Sequence, residues 1–283
     1  MIKTISANFN VGTAILNVEQ DVLIKVCGMT NKDEVKEALT YGVNLIGLIF
    51  AKSPRSVNPD VAKEIVDVVR RYGEREERVT FREEISAVKK DLALGNGESI
   101  VKDWYGKMAN HIKDITNRKP LTVGVFQDHT VEEINEIIEK TGIDIVQLHG
   151  NERPEVIERL NAPCIKVLHI SATEEKGGSS SDEFTLAEAR SFASKAIALL
   201  LDTKVGASTE SGGTGVTFDW DLVERIDMPV ILAGGLHEDN VVEALKVKGI
   251  VGVDASSSLE VRAGRKDMKK VRNYASNIRK KKI

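Results

Sequence analysis

The chain alternates apolar runs of strand length with stretches of helical period. Eight runs read as strands: Leu23–Cys27, Leu45–Phe50, Thr122–Phe126, Ile143–Leu148, Cys164–Leu168, Ala196–Asp202, Val230–Ala233 and Ile250–Asp254. They are rich in β-branched residues and bounded by Gly, Pro, Asn or Asp. Their hydrophobicity is continuous rather than alternating, which predicts strands buried on both faces, as in a parallel sheet. Amphipathic spacing predicts helices over Asn31–Tyr41, Pro59–Arg71, Val131–Lys140, Arg153–Leu160, Thr185–Ser194, Asp219–Arg225, Glu238–Val247 and Lys266–Lys280. Thr30 and Thr130 stand where N-caps belong, Pro59 at a first-turn position, and Gly142 where the third helix should stop.

Strands alternating with helices give βαβ units with right-handed crossovers. An open doubly wound sheet would show the same alternation, but eight units in roughly 260 residues favour a closed (β/α)₈ TIM barrel. The expected organisation is one α/β domain over residues 1–283, with two additions. Residues 1–20 form an N-terminal extension, either a docking segment or a tail. Residues 73–119 separate the second helix from the third strand by far more than a usual αβ loop. That segment is charged, and Trp104, Tyr105, Met108, Ile112 and Ile115 could share one apolar stripe. It is expected to be a helical insertion at the barrel's bottom, where αβ loops lie, packed onto the barrel or serving a partner.

Composition narrows the function classes. Forty basic residues against 43 acidic give a net charge of −3, which speaks against a nucleic-acid binder. No run of 18 apolar residues predicts a membrane-spanning helix. The first 20 residues lack a basic start followed by an apolar core, so no secretory signal is expected. Two cysteines, Cys27 and Cys164, lie in apolar runs, which suits a reducing, cytoplasmic setting. No Cys/His cluster has metal-ligand spacing, so no metal is expected.

In such a barrel, reactive groups belong where strands end and βα loops begin. Cys27 ends the first strand, Asp202 the sixth and Asp254 the eighth. Asp128 follows the third, His149 the fourth, and Arg55 lies in the loop after the second. Each has a plain alternative: a core thiol, a loop acid, a turn cap, a structural histidine, and for Asp128 a solvated or capping residue. Asp202 gains weight because a desolvated carboxyl holds its proton more tightly and can act as an acid. Gly234–Gly235 after the seventh strand and Ser256–Ser257 after the eighth suit a phosphate, through close backbone approach and exposed amides. A further segment, Ser211-Gly212-Gly213-Thr214-Gly215, is either a lid or a linker.

Taken in order, several motifs resemble the phosphoribosylanthranilate isomerase family. They are KVCGMT (25–30), GLIFAKSPRSV (47–57), VGVFQDHTVEEI (123–134), IDIVQLHGNE (143–152), LLDTK (200–204), SGGTGVTFDW (211–220), VILAGGLHEDNV (230–241) and IVGVDASSSLE (250–260). The resemblance implies a cofactor-independent Amadori rearrangement of a phosphorylated small molecule in tryptophan biosynthesis, by a monomer or homodimer. It makes Cys27 the general base, with a pKa near neutrality, and Asp202 the general acid. It makes Arg55 the contact for the substrate's carboxylate, and His149 and Asp254 further substrate contacts. Gly234, Gly235, Ser256 and Ser257 become the phosphate loops. A related histidine-pathway isomerase would carry Asp, not Cys, at the first strand's end. A non-catalytic scaffold acting through 73–119 is the remaining alternative. Ser258 departs from a family glycine, which would weaken phosphate binding if that position needs positive φ.

Overall fold

The computed structural model describes residues 22–77, 119–171, 180–193, 195–204 and 220–280. Eight strands close into a parallel barrel in sequence order: β1 Leu23–Cys27, β2 Leu45–Ile49, β3 Leu121–Phe126, β4 Ile145–Leu148, β5 Cys164–Ser171, β6 Ala198–Lys204, β7 Val230–Ala233 and β8 Ile250–Ala255. The open-sheet alternative is excluded by the β1–β8 ladder, in which Lys25 is the Cα partner of Asp254. Around the barrel run α1 Lys32–Thr40, α2 Pro59–Tyr72, α3 Val131–Thr141, α4 Pro154–Ile157, α5 Ser180–Ser191, α6 Trp220–Glu224, α7 Val241–Ala244 and α8 Met268–Lys280.

The core is the layer between strands and helices. Val35 and Leu39 of α1, Ile65, Val66 and Val69 of α2, and Ile134 and Ile138 of α3 are buried against the outer faces of β1–β4. Each such side chain contributes about 1.5–3 kcal/mol on leaving water. Local chemistry sets the helix ends. Thr130 caps α3 through a reciprocal box with Glu133, and Gly142 ends it at φ 75°.

Five helices differ from the sequence pattern, four of them for a local reason. Asn31, not Thr30, caps α1, because its side chain accepts from the amides of Asp33 and Glu34. The Thr30 hydroxyl instead donates to the Gly264 carbonyl at 2.5 Å. The segments 153–160 and 238–247 carry only short helices, since their ends form i→i+3 bonds such as Leu160 N to Ile157 O and Val247 N to Ala244 O. Helix α5 begins five residues before the expected Thr185. Finally, Lys266 belongs to an unforeseen antiparallel hairpin, β9 Glu260–Arg262 with β10 Arg265–Lys266, and α8 starts behind Asp267, whose side chain accepts from the amides of Lys269 and Lys270.

The extension 1–20, most of 73–119 and the glycine-rich 211–215 lie outside the described residues. The two described ends of 73–119 are held at the strands' N-terminal end. Arg75 clasps Asp144 with Nη1 at 2.7 Å from Oδ1 and Nη2 at 2.9 Å from Oδ2, and Nη2 also donates to the Pro120 carbonyl. Asp144 accepts from the Thr122 amide and hydroxyl as well. Both charged side chains are almost fully buried. Removing one partner of a buried pair strands the other's charge. Arg75→Met is therefore expected to lower unfolding stability by about 3–5 kcal/mol in urea titrations. Lys32→Met, which breaks the exposed pair with Glu64, should leave the midpoint unchanged.

Candidate active site

Side chains alternate across a strand, so Lys25 and Cys27 of β1 share the face that points into the barrel. At the strands' C-terminal end lies a hollow of about 580 Å³, within the usual size of a small-molecule site. Cys27, His149, Asp202 and Asp254 line it, together with Gly234–Gly235 and Ser256–Ser258. Eight of the ten residues singled out from the sequence thus line one hollow, and Arg55 and Asp128 are the exceptions.

Cys27 is buried, and burial pushes its thiol above the ordinary value. Lys25 and Lys266 pull the other way, and Asp254 adds to the rise. This corrects the expected near-neutral pKa: without a ligand, a thiolate there would be a poorly solvated anion. Gly47, the Cα partner of Cys27 on β2, gives the thiol its room, since a Cβ there would lie 2.8 Å from Sγ.

Beneath Cys27, Lys25 Nζ donates to Asp254 Oδ2 at 2.7 Å. Burial opposes the charge on Lys25, but Asp254 and Cys27 outweigh it, so its pKa is raised and it stays an ammonium. Asp254 is therefore half of a buried ion pair rather than a turn cap. Its Oδ1 has no hydrogen-bond partner among the described residues.

Across the hollow, β5 and β6 pair His169 with Asp202 in register. Asp202 Oδ2 lies 3.7 Å from His149 Nε2 and 4.0 Å from His169 Nδ1. Burial, reinforced by His169 and two lysines, holds His149 down to about 4. Near pH 7 it is a neutral imidazole, so its approach to Asp202 is a polar contact rather than an ion pair.

The loops expected to take phosphate are geometrically special. Gly234 and Gly235 adopt φ 90° and 64°, which side-chain-bearing residues rarely take. Asn240 steadies them, donating from Nδ2 to the Gly235 carbonyl at 3.0 Å. The Ser256 hydroxyl is engaged with the Cys27 carbonyl at 3.0 Å, so what this residue offers a ligand is its backbone. Ser258 lies in the 3₁₀ turn Ser257–Leu259 without positive φ, and its hydroxyl donates to the Leu236 carbonyl. The departure from glycine carries no backbone strain; it ties the two loops together.

Arg55 stands beside the hollow, not on its wall. Its Nε and Nη2 grip the Glu260 carboxylate at 2.9–3.0 Å. Lys266 Nζ holds the same carboxylate at 3.0 Å and the Ser256 carbonyl at 3.0 Å. Asp128, at φ 55°, accepts from the Asn151 amide and so straps the β3 and β4 loops together, away from any helix cap. Lys25, Gln147, His169 and Glu260 were missed in the sequence pattern. Only Lys25 left a sign there, as a lone charge inside the apolar run LIKVC.

The family model for N-(5′-phosphoribosyl)anthranilate (PRA) isomerase matches residues 85–277. The "Tryptophan biosynthesis protein TRP1" of Phytophthora nicotianae is 36% identical over 263 residues, 91% of this chain and 47% of that protein. The N-(5′-phosphoribosyl)anthranilate isomerase of Wickerhamomyces anomalus is 31% identical over 262 residues, 90% of this chain and 99% of that one. The chain spans only 29–47% of the length of three relatives from larger proteins. Among solved structures, a phosphoribosyl anthranilate isomerase in complex with reduced 1-(o-carboxyphenylamino)-1-deoxyribulose 5-phosphate has TM-score 0.61 at 22% identity, covering 92% of this chain and 99% of that one. At that identity the likeness bears on the fold.

The electrostatics of Cys27 give a direct expectation. Its alkylation by iodoacetamide, followed by mass spectrometry without ligand, should stay slow through pH 9 and climb above it. Lys25→Met should move that climb to still higher pH, because the ammonium favours the thiolate. Rapid modification at pH 7 would contradict the buried-thiol assignment.

Proposed function

The chain belongs to the N-(5′-phosphoribosyl)anthranilate isomerase family, and we propose that it converts N-(5′-phosphoribosyl)anthranilate into 1-(o-carboxyphenylamino)-1-deoxyribulose 5-phosphate in tryptophan biosynthesis. The observation that carries this reading is that Cys27 and Asp202 line one ligand-sized hollow bordered by the Gly234–Gly235 and Ser256–Ser257 loops.

On this reading Asp202 gives its proton to the ribose ring oxygen. The C1′–oxygen bond breaks and the nitrogen lone pair forms a protonated Schiff base. Cys27, as thiolate, takes the C2′ proton, and the electron pair of that C–H bond moves to give an enolamine. Tautomerisation to the ketose completes the rearrangement with no net change in atoms or electrons. The raised thiol pKa is compatible with this order of events. The iminium is a cation formed within the hollow, and it adds to Lys25 in favouring the thiolate while acidifying the proton to be removed. A neutral His149 beside Asp202 places no imidazolium charge next to the proposed acid.

The remaining groups serve binding. Backbone amides of Gly234, Gly235, Ser256 and Ser257 suit the phosphate. Asp254 Oδ1 is suited to a ribose hydroxyl. Arg55 meets the anthranilate carboxylate with Nη1, which takes no part in the Glu260 clamp. The protein then works in the cytoplasm as a monomer or homodimer. No helix among the described residues is long and apolar enough to cross a membrane.

A fluorescence assay with freshly generated phosphoribosylanthranilate tests the assignment. Cys27→Ala and Asp202→Asn should each lower kcat by on the order of 10² or more with the fold intact. Full activity in both would reject the mechanism. Arg55→Ala should act chiefly on KM.

A further inference from the structure

We propose that His149, His169 and Asp202 form a binding site for a borderline divalent metal ion of the zinc class, and that an ion there shuts the hollow down. The donors of these three residues all lie within 4.8 Å of one another, and Asp202 Oδ2 stands 3.7 Å from His149 Nε2 and 4.0 Å from His169 Nδ1. Zinc bonds of about 2.0–2.1 Å put neighbouring donors roughly 3.3 Å apart, so the set needs to close by several tenths of an ångström or more. All three side chains are about 30% exposed, which leaves them room to turn. Nothing in the positions 149, 169 and 202 marks them as a set; the β5–β6 register does.

The surroundings match what ligating histidines require. A histidine that binds metal through one nitrogen usually donates its other N–H to a carbonyl or carboxylate, which fixes the tautomer. His169 Nε2 lies 3.1 Å from the His149 carbonyl, so its N–H points there and Nδ1 presents a lone pair towards Asp202. His149 Nδ1 lies 3.3 Å from the side-chain amide of Gln147. That amide is buried and its Oε1 lacks a partner among the described residues. Turned by 180°, it would accept the Nδ1–H of His149 and direct the Nε2 lone pair at the ion. The two ends of an amide are interchangeable in such an assignment. Two imidazoles and one carboxylate suit zinc or cobalt and leave a coordination position for water.

Metal binding itself does not depend on the isomerase reading. The loss of turnover does, because an ion on Asp202 displaces the proton that this reading has it deliver. His169 does not line the hollow, but its Nδ1 stands 4.0 Å from Asp202 Oδ2, so a change there is read by metal affinity and not by turnover.

The test uses the full chain, stripped with chelator and desalted. Calorimetric titration with ZnCl₂ at pH 7.5 should show one ion bound through this site, and His169→Gln should weaken it by roughly tenfold or more. Zinc should inhibit the parent reversibly, with recovery on adding EDTA. Cobalt should give visible d–d bands without an intense thiolate charge-transfer band. Equal affinity in the variant, no binding, or a thiolate band placing the ion on Cys27 would each overturn the proposal. Should the variant fail to fold, the cobalt spectrum of the parent decides. Zinc binding in a protein without isomerase activity would uphold the site and sink the isomerase reading instead.

Discussion

Closing the sheet between β1 and β8 sets Lys25 opposite Asp254, and the interior of the site depends on that pairing. The two residues are 229 positions apart in sequence, and only the closing ladder makes them Cα partners. An ammonium taken from water is costly unless a carboxylate meets it in the same dry place. The ladder supplies that carboxylate, and so allows a charged residue inside an apolar strand. Cys27 follows two positions later on the same face, above the pair; burial raises its thiol, Lys25 opposes that rise and Asp254 adds to it. The same logic acts across the barrel, where the β5–β6 register brings His169 to Asp202.

Two titratable groups that line the hollow, Cys27 and His149, are shifted towards their uncharged forms. Burial raises the Cys27 thiol and lowers the His149 imidazole, so each favours its uncharged form near pH 7. The fixed charges are committed elsewhere: Lys25 to Asp254, Arg55 and Lys266 to Glu260. The loops after β7 and β8 are tied to each other by Ser258 and to the neighbourhood of the thiol by Ser256, so the anion end and the proton-transfer end form one connected unit.

Much of the fold is legible in the chain because parallel strands buried on both faces leave continuous apolar runs. β1 and β7 have the bounds that their runs imply. Capping chemistry is equally local, as Thr130, Glu133 and Gly142 illustrate. Register is not local. Asp254 was recognisable as an acid at a strand end, but its bond to Lys25 follows from ring closure. His169 falls one residue beyond the apolar run Cys164–Leu168, where nothing in the pattern marks it. The Arg55–Glu260 clamp joins loops 205 residues apart through a hairpin too short to show a period. The raised thiol pKa was invisible for a related reason: a residue's type gives its ordinary ionisation, while burial and neighbouring charge set the shift.

The most direct test of a single shared hollow is a crystal structure of this chain with reduced 1-(o-carboxyphenylamino)-1-deoxyribulose 5-phosphate. The account predicts one ligand with its phosphate on the amides of Gly234–Gly235 and Ser256–Ser257 and its sugar-derived carbons between Cys27 Sγ and the Asp202 carboxylate. A ligand whose carbons touch only one of those two side chains, or whose phosphate lies away from both loops, would contradict it.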